Sequence, residues 1–175
     1  MKPSTPSSLN VTSVLSQVQS LLEQGRPETA LGLLNDFRQN SPLLENAKGV
    51  CLLRLGKPDD ALKIFRALVF PGGAFAIPGD TPIVYHVNYI TTFFLLENVI
   101  IGIQLLRDIP QKNHPLVRQL NDSVNRWKRS LSWWRRMLLP IGLYPNRPLR
   151  LDFAPGAVWI PDEKEKRPRP AERAA

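Results

Sequence analysis

The side chains that most often serve in catalysis are few and far apart in this 175-residue chain. It has two histidines, His86 and His114, and a single cysteine, Cys51. Neither histidine has a cysteine or a carboxylate at metal-ligand spacing. Cys51 lies on the apolar side of a predicted helix, where a thiol is buried and unreactive. We expect His86 on a helix surface, and we predict no catalytic residue, metal site, cofactor or small-molecule substrate, so the protein is predicted not to be an enzyme.

A glycine pair in residues 70–82 could be mistaken for a phosphate-binding loop. This stretch, FPGGAFAIPGDTP, lacks the Gly-Lys-Ser/Thr ending of such loops and does not follow a predicted strand. Its three prolines and three glycines instead predict an extended connection between helices. We expect it to fold over the helices with Phe75 and Ile77 directed inward.

Positive charge is the second feature with chemical meaning, and it is concentrated. The net charge is +8, and residues 111–150 hold nine basic side chains and one acidic side chain. Apolar residues in this stretch recur every three or four positions, which predicts one helix over about 115–138. The predicted apolar stripe consists of Leu116, Leu120, Val124, Trp127, Leu131, Trp134 and Leu138.

This basic helix has two compatible interpretations. As a cap, its stripe covers the last helical hairpin while its charges face water. As a binding surface, its arginines together with Trp133 and Trp134 attach the protein to an anionic membrane or a nucleic acid. The basic patch predicted for that role is Arg118, Arg126, Lys128, Arg129, Arg135 and Arg136.

The rest of the chain is organised around pairs of short helices. Residues 42–69 read as two amphipathic helices that meet at a Gly-Lys-Pro turn, with Gly56 able to close the first helix and Pro58 suited to open the second. Residues 12–39 repeat this design at an offset of 31, so that Gly25 matches Gly56. A weaker third copy over 83–109 has Glu97 in place of the turn glycine, followed by Asn98.

These hairpins resemble the tetratricopeptide repeat (TPR). The features that match are a small residue in the first helix, Gly49, a turn glycine, Gly56, and a small residue early in the second helix, Ala61, followed by large apolar residues. Glu45 and Lys48 depart from the family pattern, and the family period is nearer 34 residues. The resemblance implies an all-α, TPR-like solenoid of about three hairpins with the long basic helix as its C-terminal cap.

Residues 83–106 are apolar enough to suggest a membrane-spanning helix instead. Polar residues within the run, among them Asn88, Glu97 and Asn98, would be costly in lipid. In the hairpin interpretation these polar residues lie at a solvent-facing bend, and we prefer that interpretation.

The ends of the chain are expected to lie outside the repeat domain, which we place at 11–139. Residues 1–10 are predicted to be a flexible lead, and their lack of an apolar run argues against a secretory signal. Residues 140–160 are predicted to run extended over the surface, followed by a disordered tail to 175. We expect a cytoplasmic protein, with the basic helix allowing a peripheral membrane location.

The TPR resemblance also implies a function. First helices of the hairpins line a concave groove that takes a peptide or helix of a partner protein, which would make this chain a protein-binding adaptor or scaffold. The groove residues that the resemblance implies are Asn46, Val50, Leu53, Arg54, Val87, Thr91 and Phe94. The sequence leaves open whether the 70–82 loop or the C-terminal segment fills this groove.

Overall fold

The structure, a computed structural model, describes residues 6–160 except 38, 40, 75, 76 and 140–146. The described part of the chain is all-α, as predicted, and contains eight α-helices and one short 3-10 turn. The helices are α1 (Pro6–Glu23), α2 (Pro27–Asp36), α3 (Pro42–Arg54), α4 (Pro58–Val69), α5 (Ile83–Leu95), α6 (Val99–Asp108), α7 (Pro115–Arg129) and α8 (Trp133–Leu138).

Three of the connections between helices share one turn geometry. The residues at the turns, Gly25, Gly56 and Glu97, have φ angles of 70°, 68° and 59°. At each turn the next residue donates its N–H to the carbonyl five positions earlier, with N–O distances of 2.9 Å. This is the Schellman arrangement, in which a left-handed residue ends a helix and satisfies its last carbonyls. Hairpins α1/α2, α3/α4 and α5/α6 therefore turn in the same way.

At the third turn the left-handed residue is Glu97, the residue that the alignment of the hairpins places at the position of the turn glycine. Asn98 caps α6, because its side-chain oxygen accepts a hydrogen bond from the Ile101 N–H at 3.4 Å. This turn divides the apolar run of residues 83–106 into α5 and α6. No helix in the described part of the chain combines the length and the hydropathy of a membrane-spanning helix.

Glycines allow close packing inside the second and third hairpins. A Cβ atom on Gly49 would lie 2.5 Å from the ring of Phe65, which is fully buried on α4. A Cβ atom on Gly102 would lie 2.4 Å from the ring of Phe94. Distances this short leave no room for a methyl group in a close-packed interior. Both glycines are therefore required where an aromatic ring crosses the neighbouring helix.

Two clusters of buried apolar side chains form the core. The first joins α1 to α4 and includes Leu15, Leu34 and Phe65. The second joins α5, α6 and α7 and also contains Leu131 and Leu149. Contacts between α4 and α5 connect the hairpins of the two clusters.

The predicted helix over 115–138 is two helices in the structure. The first ends at Arg129, where the Ser130 N–H donates to Arg126 and Trp127 carbonyls and the Ser130 hydroxyl donates to Trp127 O at 2.7 Å. Ser132 is extended. Because serines bond to nearby backbone carbonyls, they compete with helix continuation here. Trp134 consequently leaves the apolar stripe and is half-exposed.

Two further boundaries differ from the predictions. Helix α1 begins at Pro6, not near residue 12, so residues 6–10 of the predicted flexible lead are helical. A proline suits the first turn of a helix, which explains the early start. In the 70–82 connection, Pro71–Gly73 form the 3-10 turn and Ile77 is partly buried. Phe75 and the tail beyond residue 160 lie outside the described residues.

Candidate functional site

The predicted groove holds an extended part of the same chain. Residues 147–160, called here the groove segment, have neither helix nor strand and lie against α3, α5 and α7. The segment also connects the two halves of the core. Val158 and Ile160 pack against the first cluster, whereas Leu149, Leu151 and Phe153 pack against the second.

Two asparagines bind the backbone of the groove segment at Ala157. Asn88 Nδ2 donates to the Ala157 carbonyl at 2.9 Å, and Asn88 Oδ1 accepts the Ala157 N–H at 2.9 Å. Asn46 Nδ2 donates to the same carbonyl at 3.2 Å, and Asn46 Oδ1 accepts from Asn88 at 2.8 Å. Both asparagines are fully buried. Each polar atom of the pair is used, as buried amides require.

Just before this contact, the segment is fixed by Arg54 and by a close approach to α3. Arg54 Nε donates to the Pro155 carbonyl at 2.6 Å, and a terminal nitrogen of Arg54 donates to the Gly156 carbonyl at 3.4 Å. Burial lowers the pKa of this arginine. Gly156 has a φ of 83°, and a Cβ atom there would lie 3.0 Å from a methyl of Val50. Glycine is required at residue 156 for both reasons.

The beginning of the groove segment is attached to α7. The indole Nε1 of Trp127 donates to the Arg147 carbonyl at 3.1 Å, and the Arg147 guanidinium donates to Ser130 O at 3.0 Å. Further along, Asp152 accepts hydrogen bonds from Arg126 and from Ser123, the latter at 3.3 Å. The segment is thus bound to the helices at both of its ends.

An aromatic contact completes the end of the segment near residue 160. The rings of Tyr85 and Trp159 meet edge to face with centroids 5.6 Å apart, a favourable geometry for two aromatic rings. Tyr85 is buried, and this burial raises its pKa to about 12. The tyrosine therefore stays neutral and acts as part of an apolar surface.

The predicted groove residues come together, and they are covered. Asn46, Val50 and Arg54 contact the groove segment directly. Val87 and Thr91 line a cavity of about 240 Å³ whose other wall includes Phe153. The remaining two, Leu53 and Phe94, are buried among apolar side chains of the core. All seven except Arg54 are buried, so none of those six is open to a partner while the segment is in place.

Three residues of the site were not predicted as groove residues. Asn88 was expected at a solvent-facing bend, but it is fully buried at the centre of the hydrogen-bond network. Tyr85 was not assigned to the groove, and Trp127 was assigned only to the stripe of the basic helix. A polar asparagine within the apolar run of residues 83–106 is the signal that could have identified the first of these, since buried amides need partners.

The predicted basic patch is not one uniform surface. Arg118, Arg129, Arg135 and Arg136 are exposed, whereas Lys128 is partly buried. Arg126 is exposed but engaged with Asp152 of the groove segment. Beside the arginines of α8, Trp133, Trp134 and Met137 expose large apolar side chains.

The residues with catalytic potential are dispersed in the structure. Cys51 is buried, and burial raises the pKa of its thiol to about 12. His86 is partly buried instead of lying on a helix surface: its Nε2 has no hydrogen-bond partner among the described residues, and burial lowers its pKa. His114 Nδ1 accepts from the Leu116 N–H at 3.3 Å and caps α7. The described residues contain no cluster of potential metal ligands.

Comparison of the chain with protein-family models, with curated proteins and with solved structures gives no match.

Proposed function

We propose that this protein is a non-enzymatic, TPR-type adaptor whose groove binds an extended segment of a partner protein. In this proposal the partner segment lies where residues 155–160 lie in the structure. The observation that supports the proposal is the pair of asparagines that binds the backbone of Ala157. A partner segment that used the same hydrogen bonds would be extended, with a small residue at this position.

The chemistry of the groove supports recognition of a foreign peptide. Asn46, Asn88 and Arg54 all bind backbone atoms of the groove segment, so their hydrogen bonds do not depend on the side chains of the ligand. Specificity would come from the requirement for glycine opposite Val50 and from an aromatic residue against Tyr85. The preferred ligand is then an extended peptide that contains Gly, two small or aliphatic residues and an aromatic residue.

The TPR assignment rests on the repeated turn geometry. Three hairpins close with the same left-handed residue and the same pair of backbone hydrogen bonds. In two of them a glycine meets an aromatic ring where the helices cross. Stacked hairpins of this kind leave one extended surface for binding, as repeat proteins do. A cytoplasmic location is part of the same proposal.

The groove segment gives this adaptor a built-in competitor. A partner peptide must displace residues 155–160, so the apparent affinity is reduced by the fraction of molecules in which the groove is open. Weakening the segment within the full chain should therefore strengthen binding of a free peptide.

The test uses the full-length protein and a fluorescent synthetic peptide of residues 147–160. Gly156→Val in the protein should weaken the cis segment, and we expect this variant to bind the peptide at least tenfold more tightly than the wild type does, measured by fluorescence anisotropy. The matched control peptide carries Gly156→Val itself and should bind neither protein. Adding Arg54→Ala to the protein variant should weaken binding of the normal peptide.

The proposal fails if the Gly156→Val protein keeps its helical circular dichroism spectrum and still binds no peptide. In that case the groove segment is a permanent part of the fold. If the peptide does bind, a displayed random-peptide library selected on the same variant identifies the motif, and enrichment that ignores glycine and aromatic residues would contradict the specificity described above.

A further inference from the structure

Helix α8 has an exposed apolar face. Trp133, Trp134 and Met137 are 74%, 50% and 69% exposed, and no residue of α8 is buried. Trp133 and Met137 are four positions apart, so they lie on the same side of the helix. Only two other large apolar side chains in the described part of the chain, Ile100 and Ile101, are classed as exposed, at about 40%. Three such residues within six positions are unusual for a surface that only faces water.

Positive charge surrounds this apolar face. Arg135 and Arg136 are on α8, and Lys128 and Arg129 end α7 immediately before it. The guanidinium of Arg135 lies over the Trp134 ring, 5.0 Å from its centroid. From residue 126 to residue 139 the sequence has no acidic side chain. A ligand for this surface must therefore be anionic and must also offer hydrocarbon to Trp133 and Met137.

We propose that α8 attaches the protein to membranes rich in anionic phospholipids. A bilayer surface supplies both kinds of contact, because its phosphate groups meet the arginines and its acyl chains receive the apolar side chains. Tryptophan is well suited to this boundary, since its ring is largely apolar and its N–H can remain among polar groups. The attachment is peripheral and reversible, since α8 has only six residues.

The apolar residues favour a membrane over a nucleic acid. Tryptophan can stack on bases and arginine can bind phosphates, so these two residue types suit either partner. Met137 has neither an aromatic ring to stack on bases nor a charge to bind phosphates, whereas it gains from burial in hydrocarbon. This proposal does not depend on the peptide groove, because the contacts that hold the groove segment among the described residues come from α3, α5 and α7 and not from α8.

The experiment is co-sedimentation of the full-length protein with two sets of vesicles, one of phosphatidylcholine alone and one with about a third phosphatidylglycerol. We expect the wild type to bind the anionic vesicles at least tenfold more strongly than the neutral ones, since each basic residue near an anionic surface contributes severalfold to the affinity. Binding should fall as salt is raised.

Two α8 variants separate the contribution of the apolar side chains to membrane binding from that of the basic ones, and each variant has a matched control. Trp133→Ser with Met137→Ser should reduce binding at least fivefold, whereas Ile100→Ser with Ile101→Ser on α6 should leave it unchanged. Arg135→Glu with Arg136→Glu should reduce binding at least tenfold, whereas Arg118→Glu near the start of α7 should have a much smaller effect. These side chains are exposed, so their replacement should leave the fold intact, and circular dichroism checks this.

Two outcomes would overturn the proposal. One is equal binding of neutral and anionic vesicles, or no binding of either by the wild type. The other is that single-stranded oligonucleotides bind more tightly than the vesicles do and that this binding survives Met137→Ser, which would assign the surface to nucleic acid. A failure of peptide binding in the groove would affect neither result.

Discussion

The groove and helix α8 both carry large apolar side chains next to basic ones, and the described part of the chain covers only the groove. In the groove, Gly156 lies against Val50 and Trp159 lies against Tyr85, with each buried asparagine fully hydrogen-bonded. On α8, Trp133 and Met137 remain exposed. Contacts made within the chain contribute to the stability of the fold. Exposed side chains without such contacts can contribute only to the binding of another molecule that covers them.

This difference separates the two surfaces experimentally. Substitutions in the groove should change the free energy of unfolding, because they remove contacts present in the folded state and absent in the unfolded one. Substitutions on α8 should change association and leave folding unaffected.

The largest effect is expected for Asn88→Ala. This change removes three hydrogen bonds and leaves the buried Asn46 side-chain oxygen and the partly buried Ala157 N–H without these partners. Each unsatisfied buried group costs about 1–3 kcal/mol, so we expect the free energy of unfolding to fall by about 3 kcal/mol in urea denaturation. Asn125→Ala, at an exposed position of α7, is the control and should change it by less than about 0.5 kcal/mol. A loss below about 1 kcal/mol for Asn88→Ala would mean that Ala157 is not held in the groove.

A smaller effect is expected for Gly156→Ala. Alanine there must adopt a left-handed φ of 83° and must also displace a methyl of Val50. Gly72 has a similar φ of 66° but open space around the position of its missing Cβ. We expect a loss of about 2 kcal/mol for Gly156→Ala and about 1 kcal/mol for Gly72→Ala, both from urea denaturation. Equal losses would show that the close contact between Gly156 and Val50 of α3 does not contribute to the free energy of unfolding.

The sequence predicts the helices better than it predicts what covers them. Turn signals such as Gly25-Arg26-Pro27 and Gly56-Lys57-Pro58 are local, and they place the end of α1, the start of α2, the end of α3 and the start of α4 within a few residues. Local signals are less clear at Ser130 and Ser132, since serine is tolerated inside helices. There the choice between one helix and two depends on hydrogen bonds to the backbone.

The groove is covered through contacts between residues that are far apart in the sequence. This explains why the sequence alone could not decide whether the groove is filled. Ala157 lies 69 residues after Asn88 and 111 residues after Asn46. The spacing of these residues along the chain gives no sign that they are in contact. The identity of an asparagine in an apolar helix also does not reveal whether its side chain faces water or a buried backbone. Of the seven predicted groove residues, three contact the groove segment directly and two more share a cavity with it.

A pH-dependent effect is expected at His86, whose buried Nε2 has no hydrogen-bond partner in the part of the chain that the structure describes, unlike the paired asparagines of the groove. Burial lowers its pKa from the ordinary value of 6.5. Below pH 6.5 the unfolded state therefore binds more protons than the folded state does, and stability falls as the pH is lowered from 7.5 to 5.5. His86→Gln should reduce this pH dependence, measured as urea denaturation at each pH. His114 is present in both proteins, so its contribution cancels in the difference; identical pH profiles would contradict the prediction.

The smallest effect on folding is expected for substitutions on α8. This expectation is the most direct test of the difference between α8 and the groove. Met137→Ala removes an exposed side chain, so we expect the free energy of unfolding to change by less than about 0.5 kcal/mol. Leu131, six residues earlier, is buried in the second core cluster, and Leu131→Ala should cost about 2–4 kcal/mol in the same denaturation experiment. If Met137→Ala instead destabilises the protein as much as Leu131→Ala does, then α8 packs against the molecule in solution. Its apolar face would then belong to the fold, and the reason to assign it to a membrane would disappear.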